Sequence, residues 1–262
     1  MKWSVTKMGD MEIYIATHKK TKLPNKDGYL PIQVGAINKE DLGYIKDSTQ
    51  DNISEKNPNY CELTALYWMW KNSRADIIGL VHYRRYFSAK KFIPKKEADK
   101  FKAILTKQEI EKRLGNYDII LPKKRNYFIE NVYSHYEHTM HIEPLIETGK
   151  IIQEKYPEYY PEFENLKKTT KMHAFNMFIM KKEYLDKYCT WLFDILFELE
   201  KRVPNQNISA FQMRFYGRVS EIIFNVWLKH HIDNKIVMEN EVKEIPYMHM
   251  EKINWVKKGT SF

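Results

Sequence analysis

Cysteine is nearly missing from this chain. Its 262 residues include two, Cys61 and Cys189, too far apart for a metal knuckle or a disulfide framework. A reducing compartment is therefore expected. No apolar run approaches the roughly 18–20 residues that cross a bilayer. The opening Met1-Lys2-Trp3-Ser4-Val5-Thr6 runs into charge rather than the apolar core of a signal peptide. The expected location is cytoplasmic. Glycine is scarce, at 9 residues, and none falls in a Gly-x-Gly-x-x-Gly or Walker pattern. Dinucleotide and P-loop readings lose their support with it. Gly-x-Ser-x-Gly is absent as well, which argues against nucleophile-elbow hydrolases. Zinc-finger spacing, RNP-like motifs and long Lys/Arg blocks are also missing, so no nucleic-acid partner is expected.

What is present suits a folded α/β protein. Hydrophobic residues make up 43% and aromatics 14%, enough to form a core despite 29% charged residues. The formal charge of +9 points to anionic partners: nucleotide phosphates, acidic lipid headgroups or nucleic acid. No repeat, low-complexity tract or linker divides residues 1–262, so one unit is expected. Strands are expected at 11–16, 31–36, 77–81, 117–122, 174–180 and 245–250. Helices are expected at 59–70 with Asn59 as N-cap and Asn72-Ser73 as exit, and within 95–114 and 142–164. Two longer ones cover 183–202, ended by Pro204, and 212–230. The polar stretch 41–58 reads as a ligand-binding loop.

The densest chemistry is Gly79-Leu80-Val81-His82-Tyr83-Arg84-Arg85-Tyr86-Phe87. A buried strand here ends in an imidazole, two guanidiniums and aromatic rings. Ligands of open α/β sheets sit beyond the carboxyl ends of strands, and paired arginine forks suit phosphate. Solvated arginines on a surface turn are the plainer alternative. His135, His138 and His141 recur at steps of three, but a helix carries them through about 120°, a poor fit for one metal ion. Contacts to a polar substrate, or packing, fit better. Arg214, Arg218 and Glu221 share a helical face, either as a salt-bridge ladder or as a general base oriented by arginine. Asn254-Trp255-Val256-Lys257-Lys258-Gly259 is a solvated basic tail or a flap over phosphate.

Together, Tyr60-Cys61-Glu62-Leu63-Thr64, residues 79–87, Asn176-Met177-Phe178-Ile179-Met180, Ser220-Glu221 and Met250-Glu251-Lys252-Ile253-Asn254-Trp255 resemble the domain of unknown function 4422 family. The resemblance runs from about residue 13 to 258. It implies a GT-A-like nucleotide-binding α/β sandwich with a mostly parallel central sheet and added helices. It also implies a glycosyltransferase of capsular, exopolysaccharide or O-antigen biosynthesis. The donor would be a UDP-sugar, carrying galactofuranose or another hexose, and the acceptor a glycan or lipid-linked glycan. GT-A enzymes hold a divalent metal on an Asp-x-Asp motif, and this sequence has none. His82 to Arg85 stand in its place. Arg84, Arg85, Lys257 and Lys258 are then expected to stabilise departing UDP without a metal or other cofactor.

By analogy, Thr17, His18, Lys19, Asp51 and Asn52 would hold base and ribose, and Tyr60 would stack on the base. Glu62, His82 and Tyr83 would complete the nucleotide-sugar side. Tyr133, His135, His138, Asn176, Arg214, Arg218 and Trp255 would line the sugar or acceptor side, with 246–262 as a flap. Glu221 would deprotonate the acceptor, giving inversion. Trp255, Lys257 and Lys258 would suit peripheral contact with the inner face of the cell membrane. Two other classes remain: a module stacking single-stranded nucleic acid on the same Tyr and Arg residues, and a non-catalytic carbohydrate- or partner-binding protein of a polysaccharide assembly complex.

Overall fold

The computed structural model describes residues 9–203, 209 and 211–251. Apolar strands form its centre: β1 (Met11–Thr17), β2 (Tyr29–Gln33), β3 (Ile45–Lys46), β4 (Ile77–His82), β5 (Arg85–Phe87) and β6 (Ile119–Pro122). They are followed by β7 (Arg125–Asn126), β8 (Lys171–Met172), β9 (Phe178–Lys181), β10 (Val242–Ile245) and β11 (Tyr247–His249). The main sheet runs β10-β6-β9-β4-β1-β2-β3, with β5 paired to the end of β4 and to β11. β1, β2, β3 and β4 are parallel, as are β6 and β10. β9 opposes both of its neighbours. Every other strand along that path therefore points the same way, and their carboxyl ends open on one edge.

The helices are α1 (Asn57–Tyr60), α2 (Leu63–Asn72), α3 (Glu97–Ala103), α4 (Lys107–Leu114) and α5 (Val132–Thr139). The rest are α6 (Glu143–Lys155), α7 (Tyr160–Glu164), α8 (Lys182–Arg202) and α9 (Phe215–Asp233). Tyr184, Tyr188, Leu192, Leu196 and Leu199 bury one stripe of α8, which packs on β4, β9 and α2. A capping box fixes the start of α4: Thr106 Oγ1 accepts from Glu109 N, and Thr106 N donates to Glu109 Oε2.

Besides end shifts of two or three residues, as in the last helix at Phe215–Asp233, four sequence expectations change for a local reason. The second strand lies at 29–33 rather than 31–36, because Gly35, at φ 59°, turns the chain away. The helix expected over 59–70 is broken at Cys61, whose φ of 53° puts Asn59 inside α1 instead of at a cap. Residues 174–177 are a turn, and the strand starts at Phe178. The last strand is two: Pro246 separates β10, parallel to β6, from β11, antiparallel to β5. The exit of α2 is at Ser73, as expected.

Gly79 is crowded from both sides by β1 and β9. A Cβ there would lie 2.8 Å from both Ile13 Cδ1 and Ile179 Cγ1, and 3.1 Å from Phe178 O. Gly79→Ala is expected to lower stability by about 1–3 kcal/mol, read as a lower urea midpoint with unchanged slope. A midpoint equal to the native chain's would contradict this packing.

Candidate functional site

A cleft of about 1340 Å³ opens at the carboxyl edge of the sheet. Its walls come from separate stretches of chain. His18 follows β1, and His82, Tyr83, Arg84 and Arg85 close β4. Asn57, Cys61 and Glu62 come from the break between α1 and α2, Arg125 to Phe128 from the exit of β6, and Arg214, Arg218 and Glu221 from the start of α9. Phe175, Tyr247 and His249 complete the floor.

The turn at Phe175-Asn176 ties these walls together. Both residues are left-handed, with φ of 77° and 48°, a conformation that bulky side chains adopt only when held. Phe175 N donates to Glu221 Oε2 at 2.9 Å, and Phe175 O accepts from His82 Nε2 at 2.5 Å. Asn176 Nδ2 donates to Glu62 Oε1 at 2.8 Å and to Gly217 O at 3.2 Å, while Ser220 Oγ donates to Asn176 Oδ1. One turn thus positions the exit of β4, the start of α2 and the first turns of α9.

Two carboxylates of this frame differ in their ionisation. Glu221 is 8% exposed, and burial, with Glu62 nearby, pushes its carboxyl above the usual 4.5. Arg218, whose Nη1 lies 4.0 Å from Glu221 Oε1, the Phe175 N–H and Arg85 oppose the shift only in part. Burial also works against charge on Glu62, but His82, the Asn176 amide and Arg218 outweigh it and leave that carboxyl below its ordinary range. Acid–base pairs in catalytic sites are separated in this way. Burial pushes His82 down, more than Glu62 restores, with Arg85 and Arg84 adding to the effect. His18 is also lowered, by burial and then by Lys19, Arg84, Lys39 and Arg214 around it. Cys61 accepts from Arg214 Nε at 3.0 Å, yet burial holds its thiol at about 11, a neutral group rather than a nucleophile.

Guanidiniums of the cleft meet aromatic rings. Arg85 lies 4.4 Å over the Phe175 ring, and its buried Nε has no hydrogen-bond partner among the described residues. Arg84 and Lys19 flank the Tyr83 ring at 5.7 and 4.9 Å. Across the cleft, His135 stacks at 4.2 Å on Tyr127, while His135 Nδ1 and His138 Nδ1 donate to the two oxygens of Glu130 at 2.6 and 2.7 Å.

Of the residues singled out in the sequence, His18, Glu62, His82, Tyr83, Arg84, Arg85, His135, Arg214, Arg218 and Glu221 line the cleft together. Asn176 supports its floor from beneath, and Lys19 sits at the rim in a 3.5 Å ion pair with Glu251. Thr17 is buried and donates to Lys19 O, shaping the strand exit. His138 faces Glu130 from outside the lining. Tyr60 does not offer its ring: it is 0% exposed and stacks on Tyr216 at 4.4 Å. Asp51 and Asn52 lie elsewhere, Asp51 accepting from Tyr67 Oη and Asn52 bonding Gln50 O and Ser54 N. Tyr133 does not line the cleft and carries Lys167 over its ring at 5.4 Å. Of the flap expected over 246–262, the described part contains β11, paired to β5, with Tyr247 and His249 in the cleft lining, and the rest, with Trp255, Lys257 and Lys258, lies outside the described residues. Arg125, Tyr127 and Glu130 went unnoticed in the sequence. The rule that found His82–Arg85 would have found them, because Lys123-Lys124-Arg125 leaves the carboxyl end of β6 in the same way.

No curated protein matches the chain. Among solved structures, one described as the WbbM bifunctional glycosyltransferase in its apo form superposes with a TM-score of 0.84 at 32% identity. The match covers 93% of this chain and 46% of that one, so the chain spans about half of that protein's length. The fold is a GT-A-like α/β sandwich with a mostly parallel sheet. The family described as Domain of unknown function (DUF4422) matches residues 12–233, which is most of the sequence, and the chain belongs to it.

Proposed function

We propose that the chain is a glycosyltransferase that moves a hexose, galactofuranose or another, from a UDP-sugar to a glycan or lipid-linked glycan acceptor. The polymer would be a capsular polysaccharide, exopolysaccharide or O-antigen. One observation carries the reading: a buried carboxylate of raised pKa stands in a cleft walled by arginines at the carboxyl edge of a nucleotide-binding type of sheet. The glycosyltransferase described as WbbM, similar over 93% of this chain, supports the same class.

In this reading Tyr83, not Tyr60, is the platform for the base. Arg84, Arg214 and Lys39, gathered around His18, take the diphosphate. Arg85 lies close enough to feel the charges of both Arg84 and Glu221. The acceptor hydroxyl approaches the sugar from the side of Tyr127, His135 and Glu130. As its oxygen bonds to the anomeric carbon, its proton passes to Glu221, the bond from that carbon to the phosphate oxygen breaks, and UDP leaves with the electron pair. Attack opposite the leaving group inverts the anomeric centre. The charge gathering on UDP is met by guanidiniums, so divalent metal is not required.

Calorimetry with UDP, in chelator and with manganese, tests this, with GDP, CMP and an oligonucleotide as controls. UDP is expected to bind selectively in chelator. Arg84→Ala is expected to weaken it by about 10- to 100-fold, the worth of one charged hydrogen bond. Binding only with manganese would retain the transferase and discard the arginine clamp. No nucleotide binding at all would leave the non-catalytic, carbohydrate- or partner-binding reading.

A further inference from the structure

Between β7 and α5 the chain holds two large apolar side chains in solvent. Phe128 is 79% exposed and Ile129 is 97% exposed. The turn that displays them is braced. Tyr127 N donates to Thr170 O at 2.9 Å, Phe128 N to Asn126 Oδ1 at 3.0 Å, Glu130 N to Tyr127 O at 3.4 Å and Val132 N to Thr169 O at 2.7 Å. Phe128 itself is left-handed, with φ 59°, a conformation that disfavours a bulky side chain. A surface turn with no partner would gain by placing a glycine or polar residue here. Keeping phenylalanine and isoleucine outward, on a fixed backbone, points to a partner that takes apolar groups.

The surroundings indicate which partner. Lys123 and Lys124 are exposed just before the turn, and Lys168 and Lys171 are exposed beside it, with Lys171 in register opposite Asn126. The nearby acids are few and engaged: Glu130 by His135 and His138, and Glu244 4.0 Å from Lys124. The same make-up recurs at Lys90-Lys91-Phe92-Ile93-Pro94-Lys95-Lys96, where Phe92 is 84% and Ile93 39% exposed. The two turns leave the sheet from adjoining points, since Ser88 N donates to Pro246 O and Lys123 N to Ile245 O. Apolar tips ringed by lysines match a surface with acyl chains below and negative charge above. Single-stranded nucleic acid would call for aromatic platforms, and an isoleucine at the tip does not stack.

We propose that the turns at 123–129 and 90–96 dock this protein on an anionic phospholipid surface, inserting Ile129 with Phe128, and Phe92 with Ile93, between headgroups. Phe128 also borders the cleft, so docking would bring its mouth to the membrane. That this presents the cleft to a lipid-linked acceptor rests on the transferase reading; the docking itself does not.

Flotation of the chain with vesicles tests the proposal. The native chain is expected to float with phosphatidylglycerol-containing vesicles and not with phosphatidylcholine alone. Ile129→Asp and Phe92→Asp are each expected to weaken binding about tenfold or more, because each tip loses its insertion and meets like charge. The double variant is expected to remain with the soluble fraction. Neither residue lines the cleft, so calorimetric UDP binding by the variants should match the native chain. That arm keeps a failure of docking distinct from a failure of the nucleotide site. A native chain that ignores phosphatidylglycerol overturns the proposal. A single variant that floats as well as the native chain overturns the insertion assigned to its turn. Loss of binding in Lys123→Glu/Lys171→Glu with full binding in Ile129→Asp would reduce the contact at 123–129 to charge alone and overturn insertion there.

Discussion

Glu221→Gln is expected to reduce turnover by roughly 10²- to 10⁴-fold, the usual worth of a positioned general base, while UDP affinity stays nearly unchanged. Gln keeps the size of the side chain and an oxygen that can accept from Phe175 N, so the turn holding the floor should survive. Only the proton acceptor is removed. Thermal stability should not fall. The folded-state pKa of Glu221 lies above its ordinary value, so its contribution to stability is present below that value and lost as pH rises through the folded pKa. Above the folded pKa the ionised side chain is thus a cost that Gln relieves. Turnover equal to the native chain's in a folded variant would end the assignment.

The same carboxyl is expected to set the acidic limb of the pH profile. A base works when deprotonated, so kcat/KM should be lost as pH falls through the pKa of Glu221, above 4.5 because of its burial. Arg218→Ala removes the nearest charge that opposes this shift and should move the limb further up. In Glu221→Gln the limb should vanish from whatever activity remains. A limb unmoved in both variants would assign it to another group.

Much of this geometry could be read in the sequence, for reasons that differ by residue. Ile77–His82 was legible because a strand buried on both faces is a continuous apolar run, and whatever follows it stands at the sheet edge. Arg218 and Glu221 were legible because helical spacing fixes a shared face over one turn. The turn at Phe175-Asn176 was not. Its residues have strand propensity, and its left-handed backbone is imposed by Glu221, Glu62 and His82, which lie 46, 114 and 93 positions away from their partners. Tyr60 misled for a related reason. An aromatic at a helix start looks the same in sequence whether it meets a ligand or Tyr216, and long-range packing decided for the latter. Cys61, at φ 53°, interrupts a helix whose periodicity continues across it, and no local signal marks the break.

Asp47 drew no notice in the sequence, and its loss is expected to be the most damaging to the fold. It is 0% exposed and accepts four hydrogen bonds, from Gly35 N at 2.7 Å, Ala36 N at 2.9 Å, Ser54 Oγ at 2.6 Å and Thr64 Oγ at 2.5 Å. The segment after β2, the start of the 3₁₀ turn at Ser54–Lys56 and the first turn of α2 all converge on this carboxylate. Asp47→Ala would leave the buried N–H groups of Gly35 and Ala36 without their acceptor. Each orphaned donor costs about 1–3 kcal/mol, so a total loss of about 3–5 kcal/mol is expected, with a fall in Tm of about 6–20 °C. Asp47→Asn should lie between, since its amide oxygen can accept from one N–H and one hydroxyl, while its NH₂ faces the other N–H and donates to the other hydroxyl, which turns to accept. Nucleotide binding should weaken with stability, because Val34, Lys39 and Asn57 of this braced segment form one wall of the cleft. Denaturation of Asp47→Ala at the native midpoint would show that the segment folds without its carboxylate. The wall would then have to be held by Asn57, whose Nδ2 donates to Cys61 O and Thr64 Oγ1.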